Sequence, residues 1–419
     1  MKTTFTKIAG LLAAVIMLAC IAPTFAQDGK DYITVKGVVK DKTNKRALDY
    51  VSISVPGSNI GTVTNINGEF SIKIKDSLNA KSIKVSHLGY STHNQTIRKG
   101  DMTDVEILLT PNANLLEEIT VLGFDAEALV RRAISRIEYN YSPNTALLEG
   151  FYRETIRKRR TYINVSEAIV EVFKTPYQQG LNRDVVQIYK GRKLISPNPQ
   201  DTLMVRLLGG PTLAIYLDVV KNPDLMLNEE TLSYYKFAIE ESVMIDDRAH
   251  FVVAFEPKVS LPYALHYGKL YIDKDNLTFS KAVFSVSMDD RNKATQAILK
   301  KKPMGMQFRP DEITFLVNYK QRDDRTYLSY IRSEMRFKCD WKKRLFSTNY
   351  TIVSETVITG GREENATRIP AKLAFRESQA LYDKVDSFYD KDFWEDYNII
   401  EPDESLESAV SKLKKANTK

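Results

Sequence analysis

A chain of 419 residues is long enough for two ordinary domains, each with its own core. Hydrophobic residues at 43% and charged residues at 27% exclude both a disordered chain and a polytopic membrane protein. The formal charge is +7, and neither a nucleic-acid partner nor a bound cofactor is expected.

The chain begins with a targeting pattern, expected to span residues 1–26. Lys2 and Lys7 form a positive start, Ile8 to Ala22 an apolar run, and Thr24-Phe25-Ala26 a small-residue exit. The apolar run is short and wrongly flanked for a membrane span. Removing the segment takes its two lysines and leaves a charge of about +5. Of the two cysteines, Cys20 lies in this segment and Cys339 is left alone, so no internal disulfide is expected. Met17-Leu18-Ala19-Cys20 also permits a lipidated cysteine; Leu18 is bulky for that signal, and export in soluble form is favoured. Either route places the protein outside the cytoplasm.

Residues 32–111 read as strand after strand. ITVKGVVKD, YVSISVPGS, FSIKIKD, SIKVSHLGY and DVEILLT alternate and favour β-branched residues, with turn residues at short intervals. Short, evenly spaced strands predict a β-sandwich. Within it, GTVTNINGEF (61–70) brings Asn65, Asn67, Gly68 and Glu69 together. A calcium loop needs carboxylates at alternate positions, and both asparagines are neutral. Asn67-Gly68 beside β-branched residues is instead a hairpin-turn signal, because both tolerate positive φ.

Gly37-Val38-Val39, Ala47 to Val55, Gly61 to Asn65, Gly68-Glu69-Phe70 and Leu88-Gly89-Tyr90 together resemble the carboxypeptidase regulatory-like domain. The resemblance implies a transthyretin-like sandwich, found as a periplasmic extension of TonB-dependent receptors in Gram-negative bacteria. Asn65 departs from the usual aspartate. Leu116 to Val121 resembles the segment that follows this domain in those receptors, but the chain is too short for a plug and barrel as well. The domain's name implies no peptidase here, since no HxxE pair is available for zinc.

After a polar link at 112–124, residues 125–140 carry apolar side chains at three-four spacing: Ala126, Leu129, Val130, Ala133, Ile134 and Ile137. Asp125 is the expected N-cap of this helix. Longer strands follow near 146–158, 161–174, 185–195, 233–241, 248–256, 264–273, 277–288, 312–321, 327–339 and 344–359. A helix is expected from Pro211 towards Leu227, broken by proline, and a last one from Asp403 to Lys415. The fold class is therefore mainly β. An N-terminal sandwich precedes an α+β domain (125–360), a long curved antiparallel sheet packed on a helix, and then a tail (361–419). A half-barrel of the lipoprotein-carrier kind is favoured; a closed barrel is the alternative. Phe151, not Tyr152, is expected to face the helix around Leu129 and Ile134, because alternation sends the two to opposite faces.

Phe151-Tyr152-Arg153-Glu154, Ser166-Glu167-Ala168, Lys190-Gly191-Arg192, Gly268 to Asp273, Phe393-Trp394 and Tyr397-Asn398 also resemble uncharacterised envelope proteins that carry the same N-terminal domain. That resemblance implies an address and an architecture, without an activity.

No catalytic or metal signature appears. His87, His93, His250 and His266 are not at metal spacing, and Cys339 has no motif around it. No nucleophile elbow, phosphate loop or dinucleotide fingerprint occurs. Two readings remain: a non-catalytic module whose sandwich docks a partner and whose curved sheet holds an apolar or extended ligand, or an envelope hydrolase with acids drawn from separate strands.

The hairpin tips supply the candidate binding residues. In a meander, one edge collects Arg157, Lys158, Arg159, Arg160, Lys300, Lys301, Lys302, Lys342, Lys343 and Arg344. The other collects Asp246-Asp247, Asp273 with Asp275, and Asp323-Asp324, partly neutralised by Arg248, Arg322 and Arg325. Such a basic rim fits an anionic membrane surface or an acidic outer-membrane or periplasmic protein.

Overall fold

The computed structural model describes residues 30–112, 125–198, 207–299, 305–341, 347–387 and 391–417. The expected signal with Cys20, nearly all of the 112–124 link, Lys300–Lys302 and Lys342–Arg344 lie outside those residues.

Seven short strands build the first unit: β1 (Tyr32–Asp41), β2 (Ser52–Ser54), β3 (Gly61–Val63), β4 (Glu69–Lys75), β5 (Ser82–Ser86), β6 (His93–Thr96) and β7 (Met102–Leu109). They form two sheets, β4-β1-β7 and β3-β2-β5-β6. Alternation turns Val35, Val39, Ile53, Phe70, Ile72, Ile74, Ile83 and Val85 inward into one core between them. The stretch 61–70 is the expected turn. Asn65 Oδ1 accepts from the backbone N–H of Asn67 (2.9 Å) and Glu69 (3.0 Å). Gly68 has φ +74°, and a Cβ there would lie 2.5 Å from the Val39 carbonyl oxygen, so glycine is required on both counts.

The second unit is an eleven-stranded sheet in the order β11-β12-β13-β14-β15-β16-β17-β8-β9-β10-β18. Its strands are β8 (Ala146–Lys158), β9 (Thr161–Lys174), β10 (Val185–Ile195), β11 (Tyr235–Ile245), β12 (Arg248–Pro257), β13 (His266–Asp273), β14 (Phe279–Val286), β15 (Met306–Arg322), β16 (Arg325–Trp341), β17 (Thr348–Arg362) and β18 (Asp386–Ser387). The strict meander is corrected: β11 does not follow β10 in space. The excursion after β10 carries the chain to the far edge, and β17 returns to pair with β8. Among the described residues β18 pairs only with β10 and β11 only with β12, so the sheet is open and the closed-barrel alternative falls.

One face of the sheet, here the inner face, carries α1 (Ala126–Ser135), α2 (Ile137–Asn140) and α3 (Gly210–Ile215). Asp125 caps α1, accepting from the Glu127 N–H at 3.0 Å. The expected helix from Pro211 to Leu227 is only six residues long. Beyond it, the Lys221 N–H turns to the Asp218 side chain, and Pro223 cannot continue a helix. An unforeseen helix, α4 (Arg291–Ile298), starts at Asp290, whose carboxylate accepts from the N–H groups of Asn292 and Lys293. That aspartate is an N-cap as well as a turn residue. The last helix, α5 (Glu404–Asn417), lies where the sequence placed it.

The choice of Phe151 over Tyr152 is corrected. Tyr152 joins Leu129, Val130 and Ala133 in the inner core. Phe151 packs on the outer face with Val63 of the sandwich, Ile169, Tyr330, Val357, Trp394 and Ile400. Both are buried, because the sandwich and the tail cover the face that alternation alone would have left to solvent.

Candidate functional site

The β8–β9 hairpin turns at Arg159 and Arg160, both exposed. Arg159 adopts φ +57° and its N–H donates to the Asn349 carbonyl at 2.8 Å. Arg157 lies over the Tyr162 ring at 5.5 Å, and Lys158 stands opposite Tyr350. In register, Thr348 pairs with Cys339 and Met306 with Trp341. The strand ends that flank 300–304 and 342–346 therefore lie at the same end of the sheet as Arg159. The side chains of Lys300–Lys302 and Lys342–Arg344 themselves fall outside the described residues.

Sequence reasoning missed the neighbours of this end. The loop from β12 to β13 emerges here with Val259 and Tyr263 exposed (40% and 55%), and Lys258 and Arg291 are exposed nearby. The signal was available: VSLPY is an apolar loop beside a basic residue, of which Leu261 packs against the inner core and Val259 and Tyr263 do not.

The acidic turns occupy the opposite end. Asp246, Asp247, Asp323 and Asp324 all have positive φ, which short aspartate side chains tolerate. Arg248 neutralises Asp273 at 2.6 Å and Arg322 approaches Asp323 at 3.6 Å. Arg325 does not take the role expected of it, since it donates to the Tyr139 carbonyl. The sandwich also leans on this end. Lys84 pairs with Asp246 at 3.2 Å, and the Thr92 N–H donates to Asp247 at 2.9 Å.

On the outer face, several of the motif residues singled out in the sequence meet at one junction. Glu167 is clasped by Arg153 (2.7 Å) and Arg192 (2.8 Å), all three buried. Burial alone would raise the Glu167 carboxyl, but the two guanidiniums outweigh it and hold the pKa below the usual range. Arg192 lies over the Trp394 ring at 4.7 Å, and Trp394 meets Phe151 edge-on at 5.6 Å. Arg153 also donates to the Ile400 carbonyl at 2.8 Å. The tail is stitched to the sandwich as well: Asn398 exchanges two hydrogen bonds with the Lys73 backbone, 2.7 and 3.0 Å. Thr62 donates to the Ile399 carbonyl at 2.9 Å. This constellation locks sheet, sandwich and tail together. It is an architectural device with its charges paired and buried; the Trp394 Nε1–H is buried without an acceptor among the described residues.

The inner face holds a second polar network. Asp218, wholly buried, accepts from Lys174 (2.8 Å), Tyr177 (3.2 Å) and Tyr319 (2.7 Å). Burial would depress Lys174, but Asp218 and Asp184 hold it protonated, above the ordinary lysine range. Nearby, Glu154 is 0% exposed, accepts from the Tyr152 hydroxyl at 3.0 Å, and has a second oxygen without a donor among the described residues. Burial pushes its carboxyl up to about 8. A shifted acid of this kind is common in active sites; this one is buried against the inner core by the described residues.

His250 is satisfied by the Arg248 carbonyl and the Ser280 hydroxyl, each at 2.8 Å. Burial depresses His87 and His266 to about 4. The Cys339 thiol is buried and pushed up to about 11, the state of inert packing. Among the described residues no group of three or more His, Cys, Asp or Glu is placed to hold a metal ion. A depression of about 630 Å³ lined by Asn59, Arg322 and 361–365 is open and polar, and its Glu363 is engaged by Arg322 at 3.4 Å.

Comparison with known proteins agrees with the sequence in the first unit. Residues 35–121 match the family model of the CarboxypepD_reg-like domain. A TonB-dependent receptor of Formosa agariphila is 34% identical over 90 residues, 22% of this chain and 9% of the receptor, so the likeness concerns a small part of that protein. Solved structures with some similarity include a DUF1329 family protein from Desulfovibrio piger, 12% identical, covering 58% of this chain and 95% of that one, TM-score 0.26. A LolA superfamily protein from Nitrosomonas europaea is also 12% identical, covering 61% of this chain and 98% of that one, TM-score 0.19. The N-terminal unit of this chain is thus a CarboxypepD_reg-like domain, set on a large curved sheet.

Proposed function

We propose that this chain is an exported, non-catalytic module of the cell envelope that presents the basic end of its large sheet to an anionic membrane surface. The observation that carries the reading is the asymmetry between the two ends of that sheet. One end has exposed Arg159 and Arg160 at the β8–β9 turn and, across four intervening strands along the same end, exposed Lys258, Arg291, Val259 and Tyr263. The other end has aspartate turns and is leaned on by the chain's own sandwich. Basic residues beside an apolar and aromatic loop suit the boundary between lipid head groups and water. Each basic residue near such a surface contributes about 1 kcal/mol, within a screening length of about 8 Å at physiological salt.

The receptor likeness supports an envelope address. An apolar or extended ligand on the inner face is the weaker reading, because α1, α3, Phe375, Leu381 and Val385 already fill that core. The test is fractionation with and without salt, paired with binding to vesicles of phosphatidylglycerol or of phosphatidylcholine. Replacing Arg159, Lys301 and Lys343 together by Glu should release the protein from anionic vesicles and abolish the salt dependence. Retention unchanged by the triple replacement overturns the reading. Retention that needs a membrane protein instead of lipid would transfer the basic end to an acidic outer-membrane or periplasmic partner.

A further inference from the structure

Between the sandwich and the outer face of β14–β16 lies a cavity of about 50 Å³. Two lysines enter it from neighbouring strands. Lys281 of β14 stands opposite Asn318 of β15, and Lys320 follows two residues along. Lys320 Nζ donates to the Asn59 carbonyl of the sandwich at 2.8 Å, its one hydrogen bond among the described residues. It lies only 3.7 Å from where a Cβ on Gly61 would stand, so a larger side chain at 61 would crowd it. Lys281 Nζ has no acceptor within hydrogen-bond distance among the described residues. Its ring contact is Tyr271, at 5.9 Å.

Neither ammonium is ion-paired among the described residues. Asp246 lines the cavity but is already paired with Lys84 at 3.2 Å, Asp49 acts on Lys281 only through space, and Arg322 repels Lys320. Ser86, Ser329 and the Asn318 amide add polar groups to a wall that also includes His87, Leu88 and Ile245. The Asn318 carbonyl oxygen is buried without a donor; turning the amide over aims its NH₂ inward instead. Burial depresses both lysines to about 8, the mark of cations that lack a counter-charge. Two cations against the single carboxylate of Asp246, itself ion-paired with Lys84, leave the cavity with an excess of positive charge that suits an anion.

We propose that this cavity binds a small tetrahedral oxyanion of the phosphate class, held by Lys281 and Lys320, and that the bound anion fastens the sandwich to the sheet. The site is at the acidic end, so it stands or falls independently of membrane binding at the basic end.

Thermal unfolding of the full chain tests it at pH 7, in inorganic phosphate or in chloride at matched ionic strength. Phosphate should raise Tm saturably. Lys281→Met with Lys320→Met should abolish that response and leave the protein in chloride at least as stable as the parent, because two uncompensated charges are gone. Arg159→Glu with Arg160→Glu should leave the response intact. An equal response in the parent and the lysine double variant overturns the site, as does equal stability of the parent in the two salts. Should the double variant not fold, Lys281→Gln alone must weaken phosphate binding at least tenfold in titration calorimetry, and an unchanged affinity overturns the proposal.

Discussion

The two faces of the eleven-stranded sheet bury polar groups in different ways. Where the tail docks, the outer face pairs its buried charges: Glu167 sits between Arg153 and Arg192, and an aromatic tail lies across the guanidiniums. The inner face satisfies Asp218 with one lysine and two tyrosines but leaves Glu154 with a single tyrosine and a protonated carboxyl. The difference follows from what covers each face. Guanidiniums can stack under Trp394 and reach backbone carbonyls of a separate segment, so charge is tolerated where the tail docks. Glu154 has only sheet neighbours and an apolar lid, and neutralising it costs less than burying the anion.

The outer face should therefore be broken most severely by removing its anion. Glu167→Ala leaves two guanidiniums buried without a partner, and is expected to cost about 3–5 kcal/mol in denaturant unfolding. A cost below about 1 kcal/mol would mean that the tail is held by apolar contacts alone. Phe151→Ala should cost a similar or slightly smaller amount, within about 3–5 kcal/mol, by opening a cavity under Trp394. Its effect should be non-additive with Trp394→Ala, since the rings touch. Additive losses would place Phe151 elsewhere.

The inner face should respond less. Tyr152→Phe removes the one donor to Glu154 among the described residues and is expected to cost about 1–3 kcal/mol at neutral pH. The smallest effect is the one read per pH unit. Glu154 titrates near 8 when folded and near the ordinary glutamate value when unfolded, so between those limits the folded state binds the extra proton. Its stabilisation is fully present below about pH 4.5 and is lost as pH rises through 8, with a slope of up to about 1.4 kcal/mol per unit. Glu154→Gln should remove that slope. Parallel stability–pH curves for the two proteins would show that Glu154 is ionised in the fold.

Much of this architecture was readable before any coordinate. Hydrophobic alternation marks β8, β9 and β10 to the residue, because a strand's period is local. Asn65, Gly68 and Asp125 announce their turn and cap, since each satisfies backbone groups a few residues away. The junction was legible only as separate motifs: Arg153, Glu167, Arg192 and Trp394 are distant in sequence, and nothing in their spacing says that they touch.

What tertiary structure alone decided is which faces are covered and which strands adjoin. Alternation divides Phe151 from Tyr152 but cannot show that both sides are buried, because the cover on the outer side comes from residues before 112 and after 390. Nor can local pattern show that β17 pairs with β8, that the sheet stays open, or that Lys281 and Lys320 end beneath the sandwich. Such facts rest on contacts between segments far apart in the chain, where burial and desolvation are set by the whole assembly and no short-range preference acts.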